Sequence, residues 1–239
     1  MRMTLRALAA LLGYPSSDLL AHVREIGDAV AAERALPRAA RRCLEPLLER
    51  LASGDLLDLQ AEYSDLFDRS RALSLHLFEH VHGDSKERGQ AMLDLGQRYL
   101  DQGFLLESKE LPDFVPVFLE FASCLEPREA REMLRQPLHV FAALAERLDQ
   151  RSSPYAGVFH AVVALAGARP DAATLDELRK KAPAEDASRL DDEWEEKPIT
   201  FTRPAHEMGG PTGVAARVRA TVKARAASRE DANGDGGRS

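Results

Sequence analysis

The stretch that decides the fold is PREAREMLRQPLHVFAALAERL, residues 127–148. Its apolar side chains recur every three or four positions, the spacing that places them on one face of an α-helix. Pro127 fits the first turn of such a helix. Pro137 should kink or split the helix, because proline has no amide hydrogen and its ring clashes with the preceding turn. The apolar face of this helix is predicted to hold Met133, Leu134, Leu138, Phe141, Leu144 and Leu148.

The same periodicity runs through residues 1–167. Ser16 and Asp55 are suited to cap helix starts, and Gly103 and Gly167 are suited to end helices. Pro37 suits the first turn of a helix that is predicted to end near Gly54. No segment of strand length alternates between polar and apolar residues. We therefore predict an all-α, single compact domain of about eight helices over residues 1–167.

Composition changes after residue 167. Residues 185–196 hold seven acidic residues against one basic residue, and a basic stretch follows at 217–229. Such a segment buries too little apolar surface to offset the entropy lost on ordering. Residues 168–239 are therefore predicted to be an acidic, then basic, largely disordered tail, with a short helix at 174–181.

Charge argues against one class of partner. The chain of 239 residues has a formal net charge of −7. An acidic chain gains little from neutralising phosphates, so broad nucleic-acid binding is disfavoured.

The N-terminus and the cysteines favour the cytoplasm. Arg2 and Arg6 precede a short apolar run at 7–12, which has helical spacing and is too short for a signal sequence. This run is predicted to be the first helix of the fold. Cys43 and Cys124 lie far apart among apolar or small residues, so we expect buried, reduced thiols.

The most unusual stretch is SLHLFEHVHGDS, residues 74–85, which holds three of the seven histidines. On a helix, His76 and His80 would share a face, and Glu79 or Asp84 could complete a zinc site. The stretch lacks the HExxH pattern and a His-Asp pair. A structural helix end and a partner-binding surface are the two other interpretations, and both are favoured over a metal site.

A second unusual stretch is LPDFVPVFLEF, residues 111–121. Pro112 is predicted to start a short apolar helix that runs through Phe121, and Phe114, Phe118 and Phe121 follow helical spacing. Packing in the core is favoured over an exposed groove. Elsewhere the chain has no Gly-rich phosphate loop and no GxSxG elbow, so we predict no catalytic residues, no metal and no cofactor of its own.

Five segments together resemble one family. They are YSDLFD at 63–68, the histidine stretch at 74–85, RGQAM at 88–92, LPD at 111–113 and EWEE at 193–196. In order and spacing they resemble the nitrate reductase delta-subunit family, the NarJ-type molybdenum cofactor assembly chaperones. The resemblance covers most of residues 1–200 and fades in the last 40.

This resemblance implies a NarJ/TorD-like helical chaperone fold and a function. The chain would bind the apo catalytic α subunit of respiratory nitrate reductase, notably its N-terminal segment. It would support insertion of the molybdenum cofactor, delay docking of the α subunit to the membrane subunit, and then leave. It would be neither an enzyme nor part of the finished reductase.

The resemblance also implies a partner-binding surface. Phe67 and Phe78 would form its apolar floor, and Asp68, Glu79 and Asp84 its acidic rim. The histidines of the set would supply pH-dependent hydrogen bonds. The complete set is Tyr63, Phe67, Asp68, His76, Phe78, Glu79, His82, Asp84, Arg88, Pro112, Asp113 and Glu120.

Two other functions stay open at this point. One is a helical metal-dependent hydrolase that uses His76, His80 and His82. The other is a regulatory adaptor with an unrelated partner.

Overall fold

The computed structural model describes residues 1–82, 86–106 and 110–181. These residues form twelve α-helices and one 3-10 turn, and their only extended pairing is an isolated antiparallel bridge between His76 and Phe114. The all-α prediction is therefore confirmed. The elements are α1 (Arg2–Leu11), α2 (Ser17–Glu33), α3 (Arg38–Arg42), α4 (Glu45–Ser53), α5 (Leu56–Phe67), the 3-10 turn (Arg71–Leu73), α6 (Leu77–Val81), α7 (Lys86–Asp101), α8 (Val115–Cys124), α9 (Pro127–Arg135), α10 (Leu138–Gln150), α11 (Ala156–Ala166) and α12 (Ala172–Lys181).

Several helix boundaries follow from local side-chain chemistry. The Ser16 hydroxyl accepts a hydrogen bond from the Leu19 amide at 3.1 Å, and the Asp55 carboxylate accepts one from the Leu57 amide at 2.9 Å. Both caps satisfy amides that have no partner inside the helix. Gly167 ends α11 with φ +62°, a backbone conformation that glycine adopts without strain. These boundaries were predicted and are confirmed.

Prolines explain two of the helices beyond the predicted eight. Pro137 separates α9 from α10, as predicted. Pro46 does the same for a helix we expected to continue from Pro37 to about Gly54, because Pro46 cannot donate to the carbonyl four residues earlier. The chain turns at Cys43 and Leu44, and the two short helices α3 and α4 result.

The core forms where α1, α8, α10 and α11 meet. α1 packs against α2 and α8, and α10 packs against α11. Phe121, Phe141 and Phe159 are fully buried at its centre. Leu5 and Leu8 of α1 are also buried, which confirms α1 as part of the fold. None of the helices in the described ranges is both long and apolar enough to cross a bilayer.

A glycine permits one close helix crossing. Gly157, at the start of α11, lies so near the Cys43 carbonyl that a Cβ atom there would overlap the carbonyl oxygen and carbon. The atoms in the way belong to the backbone and not to a flexible side chain. Only glycine fits at this crossing without a backbone shift.

The cysteines are not where we expected them. Cys43 and Cys124 are both exposed, so the prediction of buried thiols is wrong. Each lies at a helix terminus, Cys43 directly after α3 and Cys124 at the end of α8. Apolar neighbours in sequence did not bury them, because successive helix positions face different directions.

Helical packing continues past residue 167, where we placed the end of the domain. Leu175 and Leu178 of α12 are each 7% exposed, and α12 packs against α10. Arg179 adds an ion pair with Glu146 of α10 at 2.7 Å. The described helices all belong to one compact unit. The predicted tail from residue 182 onward lies outside the described residues.

Candidate partner-binding site

A buried carboxylate organises the histidine stretch. Asp113 is fully buried, and its carboxylate accepts hydrogen bonds from the His76 ring at 3.3 Å and from the Phe78 amide at 3.2 Å. The Asp113 carbonyl accepts a third bond, from the Leu77 amide at 3.0 Å. Asp113 therefore satisfies the first amides of α6 from a distant part of the chain, in place of a local cap.

This arrangement sets the backbone around His76. The Val115 amide donates to the Leu75 carbonyl at 2.8 Å, so the chain before α6 pairs with the chain before α8. His76 is extended, with φ −97° and ψ 110°, and precedes α6. The same pairing moves the start of α8 from Pro112, where we predicted it, to Val115.

His76 and His80 turn to different partners. The His80 ring donates to the Ser74 carbonyl at 2.8 Å, whereas the His76 ring donates to Asp113. The expectation that the two imidazoles share a helical face is therefore wrong, because His76 lies outside the helix. No group of three or more His, Cys, Asp or Glu side chains in the described part of the chain is arranged to hold a metal. Nothing in these residues favours the hydrolase.

The two imidazoles titrate differently. The hydrogen bond to Asp113 raises the pKa of His76 above its usual 6.5, against the opposing effect of desolvation. Burial lowers the pKa of His80 below 6.5. His76 is therefore protonated more easily than His80, because the Asp113 carboxylate stabilises the positively charged ring.

An ion pair joins α6 to α7. Arg88 Nη2 donates to Glu79 Oε1 at 3.1 Å, and both side chains are mostly buried, at 20% and 30% exposed. Arg88 Nε is buried and has no hydrogen-bond partner among the described residues. We call the residues His76, Phe78, Glu79, Arg88 and Asp113 the α6 corner.

Aromatic rings line the α6 corner. Phe78 is half-buried, and its ring meets the His82 ring at a centroid distance of 5.7 Å. The Phe114 ring lies 5.4 Å from that of His76, at an interplanar angle of 33°. For Phe114, packing in the core was favoured over an exposed groove, and Phe114 was not included in the predicted partner-binding set. Its position directly after Leu-Pro-Asp was the available signal for a role at this site.

Two motif residues are part of the core instead. Tyr63 and Phe67 are 4% and 7% exposed, and their rings pack against each other and against Tyr155. The Tyr63 hydroxyl donates to the Leu12 carbonyl at 2.8 Å. In this conformation both side chains stabilise the fold and offer a partner little surface.

The other predicted site residues have separate positions. Asp68 is exposed directly after α5, and Glu120 is exposed on α8.

Pro112 is half-buried, and its carbonyl accepts a bond from the Tyr99 hydroxyl at 2.8 Å. His82 ends α6, with its Nδ1 3.8 Å from Glu87. Asp84 lies outside the described residues.

Sequence reasoning missed Arg147, which supports the segment before the α6 corner. Its guanidinium donates to the Ala72 carbonyl at 2.7 Å and to the Leu178 carbonyl at 2.8 Å. Burial lowers the pKa of this side chain. No local pattern marks such an arginine, because its partners lie 75 and 31 residues away.

The fold and the sequence define the class of protein. The helical fold is similar to the crystal structure of an Archaeoglobus fulgidus protein assigned to redox enzyme maturation, with a TM-score of 0.52 and 23% identity, covering 70% of this chain and 94% of that one. Residues 33–161 match the family model described as nitrate reductase delta subunit.

The chain is 42% identical over 195 residues to the nitrate reductase molybdenum cofactor assembly chaperone NarJ of Escherichia coli (strain K12), covering 81% of this chain and 83% of the relative. It is 38% identical over 201 residues to a second protein of that strain, assigned as the assembly chaperone NarW, covering 82% of this chain and 83% of the relative. The chain belongs to the nitrate reductase delta-subunit family.

Proposed function

We propose that this chain is a chaperone dedicated to one client, the apo catalytic α subunit of a respiratory nitrate reductase. It binds the N-terminal segment of that subunit, supports insertion of the molybdenum cofactor and delays docking to the membrane subunit. The observation that carries the proposal is 42% identity, over 81% of the chain, to a protein named as a nitrate reductase molybdenum cofactor assembly chaperone.

The α6 corner is the surface we propose for client contact. Phe78 and His82 are half-buried rings, and His76 is 31% exposed. Such a surface offers apolar contact together with hydrogen-bond donors, the combination that suits an amphipathic helix bound in a groove. Buried Asp113 holds the His76 ring and the backbone of Phe78 in place and is not itself within reach of the client.

Two carboxylates near the predicted surface differ in whether they can bind a basic residue of the client. Glu79 is already paired with Arg88, so a basic client residue must displace Arg88 or bind at another carboxylate. Asp68 is exposed and available for that contact. If a client arginine replaces Arg88 beside Glu79, one ion pair is exchanged for another and the net gain in Coulomb energy is small. A small gain suits a complex that must later dissociate.

The proposed mechanism is holding and release, with no reaction catalysed by this chain. A chaperone that binds only the open, apo form of its client stabilises that form by mass action. Once the cofactor closes the client, the differential affinity is lost and the chaperone leaves. We place this work in the cytoplasm.

Deletion of the gene tests the proposal. In the deletion strain the α subunit should still be made, but it should lack molybdenum cofactor and nitrate-reducing activity. Expression of the wild-type chain from a plasmid should restore both. If the α subunit acquires molybdenum and activity normally without this chain, the proposed function is wrong.

A further inference from the structure

Apolar side chains are exposed mainly in one segment. Large apolar residues that are 43–78% exposed include Val81, Leu93, Leu100, Leu105 and Leu111, and the others in the described ranges are Met3, Tyr14 and Leu57. Five of these eight therefore lie between residues 81 and 111. Soluble proteins rarely leave contiguous apolar surface uncovered unless it binds something.

α7 carries the regular part of this surface. Among its described side chains only Tyr99 is buried. Leu93 and Leu100 are 69% and 51% exposed and lie seven residues apart, which places them on one face of the helix. This face is turned away from the contact that Tyr99 makes with the core.

Two glycines on the same face have no explanation within the fold. Gly89 and Gly96 alternate with Leu93 and Leu100 at spacings of four, three and four. A Cβ atom at either glycine would meet nothing within 4 Å. Glycine inside a helix is less stable than alanine, because its backbone loses more conformational freedom on folding. This cost is not offset by any close approach among the described residues.

We infer that this face of α7, formed by Gly89, Leu93, Gly96 and Leu100, binds an amphipathic helix that approaches the α7 backbone closely at the two glycines. The inference rests on the proposed function, because the occupant is the N-terminal segment of the client. Small residues allow two helix backbones to come near each other, and the leucines then pack on either side of the crossing.

Charge beside the face indicates the chemistry of the partner. Asp94 and Asp101 are exposed along one edge, each held by a hydrogen bond from Gln90 or Gln97, at 2.7 and 2.8 Å. Exposed carboxylates along an apolar stripe complement a helix whose apolar face is flanked by lysine or arginine. The stripe begins at Gly89, which follows Arg88 of the α6 corner in the sequence.

A second copy of this chain is the less favourable occupant. If two α7 helices packed antiparallel about a two-fold axis, the edges that carry Asp94 and Asp101 would lie on the same side. Like charges would then face each other along the contact. The acidic edge therefore favours a basic partner helix over self-association.

Alanine substitution at the glycines gives the sharpest test. In the full-length protein, Gly89→Ala and Gly96→Ala should each raise the melting temperature, by about 2–4 °C, because alanine favours the helix and its methyl group meets open space. The double variant should bind a peptide copied from the N-terminus of the cognate α subunit at least tenfold more weakly. A purely structural role for these glycines would not produce a more stable protein that binds less well.

The leucines provide a matched pair. Leu93→Gln should weaken binding of the same peptide at least tenfold, whereas Leu57→Gln, at a residue 73% exposed on α5, should not change it. If wild type binds the peptide and the glycine and Leu93 variants bind equally well, this inference is wrong and the proposed function stands. If folded wild type does not bind the peptide, both are wrong. If Leu93→Gln instead converts a dimer to a monomer at unchanged peptide affinity, the face belongs to a second copy and the inference is overturned.

Discussion

Asp113 is the residue on which the candidate site depends most. Its carboxylate is fully buried and accepts bonds from His76 and from the amide of Phe78. Asp113→Ala should lower the free energy of unfolding by about 1–3 kcal/mol, because a buried amide donor loses its acceptor. Denaturant unfolding measures this loss. Asp68→Ala, at an exposed residue, is the control and should stay within about 0.5 kcal/mol of wild type. Equal effects of the two substitutions would show that Asp113 does not organise the site.

His76 and His80 should give stability opposite dependences on pH. The pKa of His76 is raised in the folded protein, so its contribution is complete below pH 6.5 and is lost as the pH rises through the folded pKa. The pKa of His80 is lowered, so burial of its neutral ring costs stability as the pH falls below 6.5.

Melting temperatures measured between about pH 5 and 8 test this difference. The advantage of wild type over His76→Gln should shrink as the pH rises. The advantage of wild type over His80→Gln should shrink as the pH falls. The other histidines cancel in each comparison. Two differences that change in the same direction would contradict the assigned environments.

Motif residues could be recognised from the sequence, but their burial could not. Tyr63 and Phe67 belong to the quoted motifs and follow helical spacing, which is equally compatible with core and surface. Their burial depends on Tyr155, about ninety residues away. His76 lies outside α6 because Asp113, 37 residues later, accepts hydrogen bonds from its ring and from the first amides of the helix. The local periodicity of a sequence does not show contacts with residues so far away along the chain.

Of the described glycines, Gly157 of α11 has the least room for a side chain. Gly157→Ala would drive a methyl group into the Cys43 carbonyl, so α11 and the α3–α4 turn must move apart. We expect a loss of about 1–3 kcal/mol in the free energy of unfolding, the usual cost of overpacking. Gly89→Ala, the same substitution where space is open, should stabilise the protein. Denaturant unfolding of both variants measures the contrast. A neutral or stabilising Gly157→Ala would show that the crossing leaves room for a methyl group and would contradict the close approach to the Cys43 carbonyl.

Some helix boundaries are set by neighbouring residues, and others are set by residues that are distant in sequence. Caps at Ser16 and Asp55 and the break at Pro137 follow from neighbouring residues and were predicted from the sequence. The start of α8 follows from its pairing with Leu75, and the packing of α12 follows from Glu146 and Arg147 of α10. Those partners are distant in sequence, so the pattern alone placed both boundaries too early.

At the scale of the whole molecule, the helical class and the family were predictable from the sequence, whereas the arrangement of the site was not. Helical class follows from periodicity, and family follows from the order of five motifs. The α6 corner exists only because α6, α7 and the start of α8 meet. The exposed face of α7 was not predicted, because spacing alone does not show whether Leu93 and Leu100 are buried or exposed.

Calorimetric titration of the full-length chain with a peptide copied from the N-terminus of its cognate α subunit tests the central claim most directly. The account predicts saturable binding with a dissociation constant of about 1 μM or tighter, and a negative heat-capacity change from apolar burial. Binding should weaken as salt is raised, because exposed carboxylates contribute to it. Absence of heat at high peptide concentration, with the chain shown to be folded, would contradict the account.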